Sequence, residues 1–474
     1  GVKIKFDPST FTINTKPWSI DETGVLVFRS RNPSSGELIL REGEQKIMLK
    51  TQPSANGNWN DLKVELTKIN IGDFSPFFLP RNRLEGLVSG NILAEDMTHD
   101  LKITSNDIQT EFLRLDNDSL GEIKASLVYD NIIKELKVKG NTLNQENYLG
   151  FDADLFFADP VKSKNNIIAL KARSFQIKIL ERFLGNLFSD MEGFLTGDIN
   201  LKGEFDELSI TGKGRLKDAG LKVNFTKCFY RIQDTDIELT PTEINLDGII
   251  LIDTATHNPI YVTGGIQHES FMNMFYDLYI STRKPKTTGD ANNRPVLLLN
   301  TSFNDNKQFY GRVKGTGSFS LAGPQSDMFM KIDAIASKKD SSNITIPSSN
   351  SRESGVADFL LERKYGREMT DIGLHSATTN IIYDIDVTAT PLVSVRVVLD
   401  DLTGDEIKGK GSGNLNIKSG SSEPLSIRGR YDITEGNYLF TFQSFFKKPF
   451  VLKKGSNNYI EWSGDPYKAN IQFD

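Results

Sequence analysis

Apolar and polar residues alternate in short runs along this chain. Between residues 1 and 70 the runs are Val2-Ile4-Phe6, Phe11-Ile13, Val25-Val27, Leu38-Leu40, Ile47-Leu49 and Val64-Leu66. Side chains alternate across a strand, so an apolar residue at every second position predicts strands with one apolar and one polar face. Turn signals such as Asp21-Glu22-Thr23-Gly24 and Asn56-Gly57-Asn58 separate the runs about every ten residues. The same rhythm continues to the end of the chain.

Two interruptions stand out. Residues 175–192, with Ile177, Leu180, Leu184, Leu187, Phe188 and Met191 at three- and four-residue steps, predict a short amphipathic helix leading into Glu192-Gly193. Residues 69–85 lead into Glu85-Gly86 in a similar way, although Pro76 and Pro80 disfavour a helix there. The phrase that follows each is nearly the same: Gly86-Leu87-Val88-Ser89-Gly90-Asn91-Ile92 returns as Gly193-Phe194-Leu195-Thr196-Gly197-Asp198-Ile199. Weaker echoes begin at Gly311 and at Ile407. A unit of roughly a hundred residues repeated end to end is the mark of an array, and glycine inside a strand marks a bulge or bend that would curl a sheet. Polar loops are expected over Ser281–Arg294 and Ser337–Ser354, and a short charged helix over Phe359–Thr370.

Near the end lies an aromatic strand. Tyr438, Phe440 and Phe442 share one face, and Leu439, Thr441 and Gln443 the other. Phe450 with Leu452, and Ile460 with Trp462, form same-face pairs on expected neighbouring strands. Turn signals flank the region at Glu435-Gly436-Asn437 and Gly464-Asp465-Pro466.

The hydrophobic fraction is 38% over 474 residues, low for a compact protein of that length. An elongated shape that leaves most residues near a surface accounts for it. Thirty Phe and thirteen Tyr favour strands over helices. With a net charge of −6 and no basic run interleaved with aromatics, nucleic acid is excluded as the expected partner, and Lys447-Lys448 and Lys453-Lys454 read as solvated strand ends. Cys228, the single cysteine, sits among Val223, Phe225 and Phe229 and reads as a buried, inert thiol. No stretch is long and apolar enough to span a bilayer as a helix.

The residues of an enzyme are not gathered anywhere in the sequence. His99, His257, His268 and His375 are scattered, with no zinc-type spacing. Gly404-Asp405-Glu406-Ile407-Lys408-Gly409-Lys410-Gly411 approaches a phosphate-binding loop but has glycine where a Ser or Thr hydroxyl must meet magnesium. Asp400-Asp401 reads as a solvated turn. No catalytic residue, metal or cofactor is expected.

The segment Gly429-Arg430-Tyr431-Asp432-Ile433, the aromatic strand after Glu435-Gly436-Asn437, the strand Phe450-Val451-Leu452 and Ile460-Glu461-Trp462-Ser463-Gly464-Asp465-Pro466 together resemble the C-terminal signature of the TamB family. That family belongs to the AsmA-like superfamily of bridge-like lipid transfer proteins. The wording is specific over about 383–474; upstream the likeness is one of pattern, spanning 1–474 as one continuous trough. The chain stops at Asp474, where family members continue through further strands.

The resemblance implies an all-β fold: one very long, twisted antiparallel sheet curled into an open, taco-like trough with an apolar concave face and a few short helices. It implies a periplasmic conduit in which phospholipid acyl chains travel between the inner and outer membranes, lined here by Tyr438, Phe440, Phe442, Phe450, Leu452, Ile460 and Trp462. Further implications are an inner-membrane anchor helix outside this chain and a TamA-like outer-membrane barrel at the C-terminal end. The alternatives are a scaffold for outer-membrane or surface protein assembly and secretion, and a repeat adhesin or fibre whose apolar residues would close into dry sandwiches.

Overall fold

The structure is a computed structural model that describes residues 1–29, 34–54, 59–74, 84–97, 100–115, 118–144, 147–156, 161–185, 187–204, 209–269, 272–348, 363–364, 367–368, 380–400, 402–420, 424–442, 446–466 and 468–474. The expected turn Asn56-Gly57-Asn58, Gln443, His99, His375 and most of 75–83 and 349–379 lie outside these residues. The fold is all-β, and among the described residues no helix reaches seven residues. Two compact units form: one from Gly1–Ile179, Phe194–Arg215 and Glu238–Pro241, the other from Leu180–Gly193, Leu216–Ile237 and Thr242–Asp474.

The first unit is built on a meander. Strands Gly36–Glu42, Gln45–Pro53, Asn60–Asn70, Leu84–Glu95, Lys102–Leu115, Ile123–Asp130, Glu135–Thr142, Tyr148–Leu155 and Ile167–Gln176 each pair antiparallel with the next. The register turns the sequence alternation into rows that run across the strands. Leu127, Val138, Ala153, Ile168 and Leu201 stand opposite one another on successive strands, as do Ala125, Gly140, Phe151, Leu170 and Ile199. The other face is charged, with ion pairs across the ladder from Lys137 to Asp154 at 3.9 Å and from Lys139 to Asp152 at 3.2 Å. Directly opposed opposite charges favour this register, since a slip of one residue would turn every apolar row outward.

The repeated phrase has a structural counterpart. Before each copy the preceding strand bulges, at Lys68 (φ 47°) and at Ser174 (φ 49°). The freed backbone N–H of each donates to the hydroxyl of the phrase, Lys68 N to Ser89 Oγ at 2.9 Å and Ser174 N to Thr196 Oγ1 at 3.0 Å. Two residues later, Asn70 N–H donates to Gln45 Oε1 and Gln176 N–H to Asn147 Oδ1. A short 3-10 turn follows each strand, Ile71–Asp73 and Ile177–Leu180. The helix expected over 175–192 shrinks to that turn and one helical turn, Glu181–Leu184. Residues 175–176 still belong to a strand, and the next strand begins at Phe188. The helical spacing is there, but too few residues are free of the ladder to repay helix nucleation.

In the second unit the strands are longer. Tyr310–Pro324, Asn380–Asp400, Asp405–Gly420 and Ser426–Phe442 form its spine. Each free edge of a long strand takes two shorter strands laid end to end: Met272–Ser281 with Val296–Thr301 and Asp327–Ala336 with Ser342–Ile346 beside Tyr310–Pro324, and Phe446–Val451 with Tyr459–Gly464 beside Ser426–Phe442. Asn380–Asp400 runs parallel to both Asp327–Ala336 and Ser342–Ile346. The sheet is therefore not antiparallel throughout, because the connection 347–379 is long enough to bring the chain back in the same direction. Of the charged helix expected over 359–370, the described residues Arg363–Lys364 and Arg367–Glu368 pair as two short strands.

The junctions between short strands line up with breaks in register on the long ones. Asn380–Asp400 bulges between Ala389 and Val393, and the pairing of Asp405–Gly420 with Ser426–Phe442 shifts between Lys410 and Gly411. This row is a crease dividing each long strand into two limbs whose apolar faces meet. Glycine makes it passable: a Cβ on Gly411 would collide with the Asp432 carbonyl oxygen.

Candidate functional site

Between the limbs lie two apolar hollows, of about 190 Å³ and about 140 Å³. The smaller is lined by Ile385, Val387, Leu415, Ile417 and Ile427 of one limb and by Val393, Val395, Ile344 and Ile346 of the other. The larger is lined by Tyr230, Leu251, Ile260, Leu278, Ile280, Leu321 and Met330, with Ser281, Thr282 and Asp333 among its few polar residues. Phe225, Thr226, Leu298, Ile332 and Ala334 line both.

Phe225 is the aromatic residue among those shared. It lies in the turn between strands Ser209–Val223 and Cys228–Ile232, and its ring meets Tyr383 at 5.4 Å between centroids. The turn is pinned on both sides. Asn224 donates its backbone N–H to Leu187 O and its side-chain amide to Gly185 O, while Thr226 O accepts from Asn300 N–H. Tyr383 is held in turn by a 2.7 Å bond from its hydroxyl to Gln308 Oε1, which also accepts from Ser419.

Tyr431 sits at the crease, fully buried, and its hydroxyl donates to Val393 O at 2.7 Å, tying one limb to the other. Burial drives its phenol well above the ordinary value. Burial likewise pushes the Cys228 thiol up to about 11, the mark of an inert group. His268, also buried, is shifted down by desolvation, so it favours the neutral form.

The residues singled out from the sequence divide into two groups. Leu452, Ile460 and Trp462 belong to the buried cluster around the smaller hollow, and Trp462 lines the hollow itself. The Trp462 indole N–H donates to Pro466 O at 3.1 Å, so the Trp-Ser-Gly-Asp-Pro spacing supplies the acceptor that a buried indole needs. Tyr438, Phe440 and Phe450 form a separate aromatic group nearer the mouth. Tyr438 stacks on Phe450 at 6.3 Å and meets Phe440 at 6.1 Å, while Phe440 is 36% and Phe450 44% exposed. The side chain of Phe442 is not among those described. Thr441, expected on the solvated face opposite Phe440, is instead buried at 6%, and its backbone N–H donates to Asp405 Oδ1.

The sequence reading missed Phe225, Tyr383 and the Val393-Val395 pair. Phe225 carried a faint signal, an aromatic residue beside the lone cysteine, but its alternation with Val223 pointed to a strand rather than a turn. Tyr431 stood inside the quoted signature without its role being legible.

Among the described residues no helix is long and apolar enough to cross a membrane. Compared with known families, the sequence matches the TamB C-terminal domain over residues 247–474, which includes the crease and most residues lining each hollow. Neither the curated proteins nor the solved structures gave a match. TamB proteins are non-enzymatic components of outer-membrane protein assembly, bridge the membranes through the periplasm and work with a TamA-like partner. Residues 247–474, just under half of the chain, are a TamB C-terminal domain.

Proposed function

We propose that the uncovered apolar face of this protein carries the acyl chains of glycerophospholipids between the inner and outer membranes. One observation carries the reading: rows of apolar side chains continue from strand to strand while staying only half-buried, as in Leu127, Val138, Ile168 and Leu201. An apolar face left without a protein layer is costly in water and cheap against hydrocarbon. The hollows of the second unit supply the same surface between two limbs. Tyr438, Phe440 and Phe450 line the path at the mouth, and Leu452, Ile460 and Trp462 form its floor. The end carrying Tyr459–Gly464 faces the outer membrane and the TamA-like barrel. Transport of this kind needs a continuous apolar surface and no reactive group.

The test is lipid extraction from the purified chain, followed by mass spectrometry. Glycerophospholipid is expected well above the level in a soluble protein of similar size prepared in parallel. Repeated preparations at the control level would remove the conduit and leave assembly scaffolding as the reading. Crosslinking from Lys454 tests the orientation: capture of the outer-membrane barrel is expected, and capture of inner-membrane proteins alone reverses it.

A further inference from the structure

On the inner face of the second unit, exposure grades outward from the smaller hollow to the lip. Val395, Gly409, Gly436 and Leu452 lie abreast near the crease, and both Val395 and Leu452 are buried. In the next row are Val397, Ile407, Tyr438 and Phe450; the first two are buried, Tyr438 is half-buried and Phe450 is exposed. In the last row Phe440 stands opposite Lys448, and both are exposed. The apolar path thus ends in water on a cation, whose Nζ lies over the Phe450 ring at 5.2 Å.

The carboxylates at this lip are already engaged. Asp405 accepts Thr441 N–H at 2.6 Å, Asp400 accepts Leu402 N–H at 2.8 Å, and Glu406 is held by Arg396 at 2.7 Å and Lys408 at 2.6 Å. Among the described residues Lys448 has no carboxylate within ion-pair distance. Its neighbour Lys447 stands opposite Thr441 and so projects from the other face.

We propose that Lys448 is a headgroup subsite at a lateral opening of the groove: it receives the phosphate of a glycerophospholipid whose acyl chains pass over Phe440, Phe450 and Tyr438 to the hollow. The inference rests on the acyl-chain reading above and adds the residue at which the polar end is held. The complementarity is that of an amphiphile. Hydrocarbon meets a continuous aromatic and aliphatic ramp, and the anionic end meets an ammonium that has no carboxylate partner among the described residues, where the ramp enters water. Lysine suits the place because an ammonium acts as a point charge on a flexible stem and can follow a moving phosphate.

The test measures uptake by the full chain from phosphatidylglycerol vesicles containing a trace of either fluorescent phospholipid or fluorescent diacylglycerol, which has the acyl chains without the phosphate. Lys448→Glu is expected to slow phospholipid uptake roughly three- to tenfold, as for loss of a partly solvated charge contact. It should leave diacylglycerol uptake unchanged, and Lys447→Glu should leave both cargoes within about twofold of wild type. Unchanged phospholipid uptake by Lys448→Glu, equal slowing by Lys447→Glu, or equal slowing of both cargoes overturns the subsite while leaving the conduit standing. A wild-type chain that takes up neither cargo overturns both.

Discussion

Two rows of side chains, built from the same sequence pattern, meet different fates. Leu127, Val138, Ala153, Ile168 and Leu201 cross five strands of the first unit, and only Ala153 is buried. Val395 and Leu452 in the second unit, and the neighbouring Val397 and Ile407, are all buried. The difference is the crease. Where bulges line up across long strands, one limb covers the other and hydrophobic burial proceeds within the protein. In the first unit the bulges at Lys68 and Ser174 fall on strands of ordinary length, and the rows between them stay open to whatever apolar matter is present.

The comparison breaks most visibly under a buried charge. Ile460→Asp places a carboxylate in the buried cluster around the smaller hollow, where Ile460 is 1% exposed, and should cost about 3–5 kcal/mol. Val64→Asp, on a half-buried row of the first unit, should cost about 1 kcal/mol or less because the carboxylate reaches water. Urea unfolding of both variants measures the gap, and equal losses would mean that the first unit buries its rows as well.

Alkali should also separate the units. A buried thiol or phenol with a raised value ionises first in the unfolded chain, so folding stability is full below the ordinary value and falls as pH rises. For Cys228 the fall begins near 9.0 and levels off near 11, worth about 2–3 kcal/mol by linkage. Tyr230, Tyr276 and Tyr431 extend the loss to higher pH, and all four groups belong to the second unit. Urea midpoints at pH 8 and pH 10.5 should differ less for Cys228→Ala than for wild type; an unchanged difference would place the alkaline sensitivity elsewhere.

The smallest effect tests the repeat. Ser89→Ala and Thr196→Ala each remove the acceptor for a bulged N–H and should each cost about 1 kcal/mol. Similar losses mark the two bulges as the same device, whereas a loss at one position alone would leave the repeated phrase a resemblance of letters.

The sequence showed strands, their apolar faces and the C-terminal signature because each depends on residues close together in the chain. The Ser89 and Thr196 phrases were visible as repeats for the same reason. What pairs with what at long range was not visible: nothing in Asp327–Ala336 says that Asn380–Asp400 will lie parallel to it. Thr441 was misplaced because alternation gives a face but not what covers it, and here that position is 6% exposed. Phe225 was hidden because its partners, Tyr383 and the linings of both hollows, are remote in sequence and its own segment is a turn.

The pinned turn that carries Phe225 has a bearing on cargo fluidity. Since Gly185, Leu187 and Asn300 hold the turn from both sides, the ring is a fixed post beside both hollows, and an acyl chain carried between them, as proposed above, would have to bend around it. A kinked or disordered hydrocarbon bends easily and a straight saturated one does not, so unsaturated lipids should move faster than saturated lipids of equal length, most clearly in the cold. Phe225→Ala should narrow that gap in transfer rate. The melting behaviour of the membrane's own acyl chains would then set the pace of passage.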